Sequence, residues 1–500
     1  MEQYDVIIIG AGHNGLTAAA YLAKAKKRVL VLERRPIAGG SVVTESFGDG
    51  FEADAVWTGG QLRPDIVKDL DLTRFGLDPQ PASVKPALIS LQPDSNHLIL
   101  EADPAKAAQS IKRFSGRDAS RWNEFVRFMD KAAHILDTAY YTLMPRLPKS
   151  LNLREGYGLL ELGLELRLAG RKDMLNFIRA LPMTAEELLE EYFESDAVRG
   201  AVAAVAIHAS TLGPMEAGTG YTLIHNWMNR GGLANVNVGR AGEITAALSN
   251  AVKSFGGEIR TEAEVANIKI ENQIAKGVVL ANGEEISAKT ILSSADPKHT
   301  LLDLVGAREL PPEFVWHTQS IKMRGSVAKV HLQTNGAHGI PGGTIVLAPS
   351  IKYLERAYDA AKYGEISEKP YLEITTSGNM VSIHFQFAPF SLRNSEWKVE
   401  GENIYKLAMA TLADYFPNLQ SLITNYHVIT PQDLEETYGL TEGDLNHGQL
   451  MLDQFLFMRP MPGWSNHKTP IDNLYLCGSG VHGGGGVSGA AGRNVVRALT

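Results

Sequence analysis

Gly10, Gly12 and Gly15 fall at GxGxxG spacing in VIIIGAGHNGL, and an acid, Glu33, follows roughly 20 residues on. Those residue types at that spacing suit one task, holding a nucleotide diphosphate. Glycine at 10 permits a tight turn. Glycine at 12 leaves no Cβ in the path of a pyrophosphate, and glycine at 15 lets a helix pack closely on a strand. The free N–H groups at a helix start bring partial positive charge to the phosphates. Glu33 is placed to accept from a ribose 2′-OH. It would repel a 2′-phosphate, although Arg34 and Arg35 beside it leave NADP formally open. Gly39, Gly40 and Ser41, in PIAGGSVVTE, offer a second close backbone approach, which suits the far half of an FAD.

A second glycine cluster ends the chain. Gly478-Ser-Gly480-Val-His-Gly483 also reads GxGxxG, behind the apolar run Leu474 to Cys477. Two readings follow: a second dinucleotide site, or the completion of the first. Too little chain follows Gly483 for another strand and ribose acid, so completion is expected.

Few side chains look reactive. His482 sits inside the terminal turn and is a candidate proton shuttle. His447, in LNHGQLMLDQF, and Arg459 are candidates for the substrate mouth. Tyr221 and His225, in GYTLIHNWM, are further candidates. No HExxH and no Cys/His ligand spacing occurs, so no metal is expected. Cys477 is the sole cysteine, which excludes an intrachain disulfide and a CxxC redox pair.

The elements that must position these residues are legible. Val6 to Ile9 is a continuous apolar run, Leu16 to Lys26 is helical, and Arg28 to Leu32 is a second buried strand, together a βαβ unit. Helical patterns then dominate, as at Ala119 to Leu136 and Thr184 to Phe193. Residues 140–181 mix apolar residues with Lys149, Arg154, Arg167, Arg171, Lys172 and Arg179. Such a basic amphipathic face suits either solvent or an anionic membrane surface. Glu243 to Phe255 reads as a helix. Strands follow at Glu258 to Arg260, Val265 to Ile270, Ala275 to Leu280, Glu285 to Ser287 and Thr290 to Ala295. A second sheet is predicted from Ser326 to Gln333, Thr344 to Leu347, Tyr371 to Thr375 and Met380 to Phe387. The expected fold is α/β: a Rossmann-like dinucleotide-binding domain (residues 1–63, 226–300 and 455–500) interleaved with a mixed-sheet plus helical substrate domain (64–225 and 301–454).

Bulk composition sets limits. The 500 residues are 44% hydrophobic and 21% charged, with net charge −8, which suits a globular protein and not a nucleic-acid binder. The first strand begins close to Met1, and no run of about 20 apolar residues occurs, so neither a signal peptide nor a membrane span is expected. A cytoplasmic location follows, with peripheral membrane contact and homo-oligomerisation left open.

GAGHNGLTAAAYLAKAKKRVLVLERR, GGSVVTE and LDQFLFMRPMPGWSNHKTPIDNLYLCGSGVHGGGGVSGAAGRN together resemble the phytoene-dehydrogenase-like flavoproteins. The nearest branch holds the pyridine nucleotide-disulphide oxidoreductase domain proteins and the desaturase-type β-carotene ketolases. The resemblance implies a glutathione-reductase-like, amine-oxidase-like FAD domain with one FAD held by both chain ends. It implies that Gly478 to Gly480 turns near the ribityl and pyrophosphate. Gly486-Val487-Ser488 then begins a helix facing the pyrimidine side of the flavin, and Val265 meets the adenine. VNVGRAGEI, from Val236, departs from the GGMG-type helix entry common in the family. The implied activity is oxidation of an apolar, isoprenoid- or lipid-like substrate by hydride transfer to flavin N5, with oxygen or a quinone as external acceptor. A flavin amine oxidase, a redox-neutral isomerase and a non-catalytic flavin-stabilised binding protein are the alternatives.

Overall fold

The computed structural model describes residues 4–48, 50–78, 87–145, 153–234 and 240–499. Lys149 and the stretch 236–239 lie outside these residues. Strand Tyr4–Ile9 (β1), helix His13–Lys24 (α1) and strand Val29–Leu32 (β2) form a βαβ unit. β1 and β2 run parallel, with Ile7 opposite Leu30 and Ile9 opposite Leu32. Both are buried, which explains their continuous apolar runs. A Cβ on Gly15 would lie 2.3 Å from the Gly10 carbonyl oxygen, so only glycine lets α1 approach the turn this closely.

The same sheet takes in later strands: Glu258–Arg260 (β3), Val265–Glu271 (β4), Ile274–Leu280 (β5), Glu285–Ser293 (β6) and Leu474–Leu476 (β7). Their order is β3-β2-β1-β6-β5-β4, with β7 also on β6. The sequence predicts two short strands where the structure has the single strand β6. Its first half pairs antiparallel with β5, Ile286 opposite Val278. Its second half pairs parallel with β1 and β7, Ile291 lying opposite Ile7 and Leu474. The apparent break is a change of partner within one strand. Exposed Lys289 marks it, held to Asp5 at 2.7 Å.

A second sheet, of seven strands, is built mainly from residues 327–429 and extended by Leu88–Ser90 and Leu98–Leu100. A helical layer stands beside it: Gly116–Tyr141 (α2), Leu153–Leu168 (α3), Arg171–Ala180 (α4), Asp196–Ile207 (α5) and Thr219–Arg230 (α6). Trp122, Phe125, Phe193 and Tyr221 fill its core. The expected domain edge at 225/226 falls inside α6, which packs on α2 and α5 along with the rest of the layer. The edge at 300/301 falls inside the helical segment His299–Gly306.

Two helices return to α1: Ala241–Ser254 (α7) and Ala490–Leu499 (α8). The family resemblance implies that the last helix begins at Gly486. It begins at Ala490, because Gly486 and Gly489 hold φ of 66° and 74°, outside the right-handed helical region. The Gly492 N–H donates to Asn14 Oδ1 at 3.3 Å, and Asn14 Nδ2 donates to Ser479 Oγ at 3.2 Å. The two glycine clusters are therefore one assembly.

Candidate functional site

α1 begins at Gly12 with no side chain capping its first N–H groups. Those groups open onto a cleft of about 370 Å³. Gly10, Gly12, Glu33, Arg34, Gly40, Ser41 and Val265 line it. Glu33 organises the adjoining loops. Its Oε2 accepts from the Ala11 N–H at 2.9 Å and its Oε1 from the Arg35 N–H at 3.0 Å. The Ala263 N–H donates to the Glu33 carbonyl at 2.9 Å, which carries Ala263 to Val265 to the cleft wall. The Gly39 N–H donates to the Ala11 carbonyl at 3.0 Å and so sets Gly40 and Ser41 against the first turn. Arg34 reaches across the mouth to the carbonyls of Glu436 and Thr437, at 2.8 and 3.1 Å.

The terminal segment contributes Ser479 to the cleft. Gly478 packs on the end of β6, where a Cβ would lie 2.4 Å from the Ser294 carbonyl oxygen. Gly486 donates its N–H to Asn446 Oδ1 at 3.3 Å. Ser488 accepts the Arg63 N–H on its carbonyl at 3.1 Å, and Val487 is buried. None of these four lines the cleft. Cys477 is fully buried, and burial alone pushes its thiol pKa far up, which disfavours the reactive thiolate.

The candidate reactive residues separate. His447 lines the cleft, beside Ser479. It holds an unusual left-handed backbone, φ 56°, and its Nδ1 is buried without a partner. His13, first residue of α1, also lines the cleft, and its Nε2 is likewise buried and unpartnered. The sequence reading passed over His13 as a variable position of the fingerprint. His482 is turned elsewhere: its Nε2 faces the Thr142 carbonyl at 2.9 Å, and burial lowers its pKa to about 3. Arg459 is buried and spends its guanidinium on backbone carbonyls, Asn446 at 2.6 Å and Ser479 at 2.9 Å among them. It fastens the loop before β7 to the terminal turn. Tyr221 and His225 join Tyr140 in a buried chain. The Tyr140 and Tyr221 hydroxyls are 2.6 Å apart, and Tyr140 Oη is 2.9 Å from His225 Nδ1.

A second polar group escaped the sequence reading. Trp57 lines the cleft and packs on His208, ring centroids 6.3 Å apart. Behind it Arg230 Nη1 donates to Glu373 at 2.9 Å, and His208 Nδ1 lies 3.3 Å from the same carboxylate. Burial alone would raise the Glu373 pKa, but Arg230 and then His208 hold it well below the usual value. Lys329, from the second sheet, is buried nearby. Burial lowers its pKa to about 8, against the pull of Glu373 and Asp54.

An uncapped helix start, a glycine turn open toward the cleft and two unpartnered imidazole nitrogens fit a phosphate-bearing dinucleotide. Residues 15–499 match the family described as flavin containing amine oxidoreductase, and the chain belongs to that family. It is 32% identical to the rat (Rattus norvegicus) pyridine nucleotide-disulfide oxidoreductase domain-containing protein 2, over 98% of this chain and 92% of the relative. It is 25% identical to a limonene dehydrogenase polypeptide of Castellaniella defragrans, over 100% and 95% of the two chains. The crystal structure of an oxidoreductase from Methanosarcina mazei superposes with a TM-score of 0.61 at 17% identity, covering 99% of both chains. The protein is an FAD-dependent oxidoreductase of the branch that also contains phytoene desaturases.

Proposed function

We propose that this enzyme dehydrogenates an apolar, isoprenoid- or lipid-like substrate drawn from a lipid surface. The observation that carries this reading is a stripe of exposed apolar side chains on the helical layer. Leu160, Leu164 and Leu168 recur every fourth residue along α3, exposed by 69%, 56% and 70%, and Leu175 and Ile178 continue the stripe on α4. Arg167, Arg171 and Lys172 lie among them, together with Glu161, Glu165 and Asp173, in a chain of net charge −8. Exposed apolar residues bordered by cations suit the surface of an anionic bilayer. The named limonene substrate of one relative is a hydrocarbon, which supports the same substrate class. Among the described residues no helix is long and apolar enough to cross a membrane, so contact at the surface is the form proposed.

FAD, when bound, supplies the two-electron acceptor that takes hydride at N5. The chain's own residues hold it. Gly12 and the start of α1 would take the diphosphate, Glu33 the adenosine ribose, Val265 the adenine, and Gly40 and Ser41 the far half. Ser479 of the terminal turn would close the cleft beside it. An amine oxidase would need an aromatic cage or an acidic anchor on the reactive face. Among the described residues one βαβ unit alone ends its second strand on an acid, so electrons are proposed to leave to oxygen or a quinone. Anaerobic stopped-flow spectroscopy tests the reading. An isoprenoid hydrocarbon in anionic vesicles should bleach the flavin band and a quinone should restore it, while NADPH should leave it unchanged. Fast, saturable bleaching by NADPH, or by amines in place of the hydrocarbon, would overturn it.

A further inference from the structure

The basic side chains on the cleft wall divide into those already engaged and those with a nitrogen to spare. Arg34 donates to the Glu436 and Thr437 carbonyls, and Arg35 holds Glu45 at 2.7 Å. His299 Nδ1 faces Asp303 at 2.9 Å. His13 Nε2 and His447 Nδ1 are different: both are buried, both lack a partner, and both residues line the one cleft. A buried polar atom left unpaired costs about 1–3 kcal/mol, so each nitrogen calls for a partner that arrives with the ligand. Each residue is also held in advance. His13 is 7% exposed at the start of α1, and its ring meets the Gly486 backbone. His447 sits on a left-handed backbone, its N–H donating to the Asp444 carbonyl at 3.2 Å. Such backbone strain persists where the surroundings over-determine it, and it gathers at ligand clamps.

We propose that His13 and His447 clamp the diphosphate–ribityl stretch of the FAD between them, and that the pair takes up a proton as the cofactor binds. The inference rests on the family's use of FAD and goes beyond it, since nothing in the GxGxxG fingerprint requires histidine. The start of α1 offers the diphosphate only about half an elementary charge. The cleft arginines are turned toward protein acceptors. Arg34 keeps its charge, because its acceptors are neutral carbonyls, and an imidazolium would add a second charge beside the helix start.

The electrostatic surroundings are consistent with that step. Burial lowers the His13 pKa to about 4, helped by His447 and opposed by the Gly486 backbone. Burial lowers His447 as well, with Asp296 and Asp444 opposing and Arg459 assisting. Asp296 is already engaged by Thr441 and the His299 N–H, and Asp444 by the Asn446 and Arg324 N–H groups. Glu33, Glu264, Asp303 and Glu435 are the other acids on the wall. Both rings are therefore biased toward the neutral form before the diphosphate arrives. Added negative charge raises both imidazole pKa values, so protons are bound on loading and affinity rises as pH falls.

Dilution of the holoprotein tests this, because released FAD fluoresces and gives Kd at each pH. The slope of log Kd against pH counts the linked protons. The expected slope between pH about 6 and about 8 is roughly half to one proton, a loss of about ten- to hundredfold in affinity across the window. The His13→Gln/His447→Gln double variant keeps hydrogen-bonding groups that do not titrate in this range. It should bind FAD with a flat pH profile, and His13→Leu should bind at least about tenfold more weakly at the lower pH, a 1.4 kcal/mol effect. A flat profile in the wild type overturns the proposal whether or not any variant folds. So does a slope that survives in the double variant. Absence of FAD from the wild-type protein would instead contradict the FAD reading itself.

Discussion

The FAD cleft and the buried charge cluster behind Trp57 are neighbours built in opposite ways. The cleft is made largely of main chain: an uncapped helix start, glycine turns, and loops hung on Glu33. The cluster is made of side chains from distant segments: Asp54, His208, Arg230, Lys329, Glu373 and His384. Main-chain sites tolerate little change in residue size and much change in side-chain chemistry. Side-chain clusters behave in the reverse manner, because a buried charge stripped of its partner is left in a poor solvent. The two regions should therefore fail differently when altered.

The largest effect is expected in the cluster. Glu373→Ala leaves Arg230 buried without its carboxylate and should cost about 3–5 kcal/mol of stability. Thermal unfolding followed by circular dichroism measures this. An unchanged midpoint would mean that the cluster is not a coupled unit.

The cleft should lose affinity and keep its fold. Glu33→Ala removes the proposed acceptor for the ribose and the acceptor for the Ala11 N–H. FAD binding should weaken by about 1.5–3 kcal/mol, the range for hydrogen bonds to a charged group. The apoprotein's melting temperature should move far less than that of Glu373→Ala. Equal losses in both measurements would erase the proposed contrast.

A further effect separates the regions by pH. Lys329 has a pKa of about 8 in the folded protein against an ordinary 10.5. Between those values the unfolded chain binds the extra proton, so stability should rise as pH climbs through that window. The burial penalty is fully present below about pH 8. Lys329→Met should flatten the rise, as read from urea midpoints across the window. A rise that persists in the variant would assign it to another group.

This contrast also explains what was legible in the sequence. The βαβ unit, its acid and the two glycine clusters could be read because contiguous residues make them. His13 was overlooked because the fingerprint fixes the glycines and leaves that position free. Lys329 was invisible for another reason. A lysine within the alternating run SVAKVHLQ suggests a strand with one wet face, yet the strand lies between Met380–Gln386 and Ile423–Ile429 and is buried on both faces. The division of the β6 region into two strands failed because a change of pairing partner looks like a chain break. His482 and Arg459 stood close to the right glycines in sequence, but which way their side chains turn is decided by packing. The exposed leucines of α3 could be read as amphipathic, while their exposure could not.

The central claim is that both ends of the chain build one FAD site. The direct measurement is the flavin-to-chain ratio of the purified protein, taken before and after acid precipitation. One FAD per chain, fully released into the supernatant, is the predicted result. A ratio near two would make the terminal glycine cluster a second site, and a flavin that stays with the precipitate would contradict noncovalent binding.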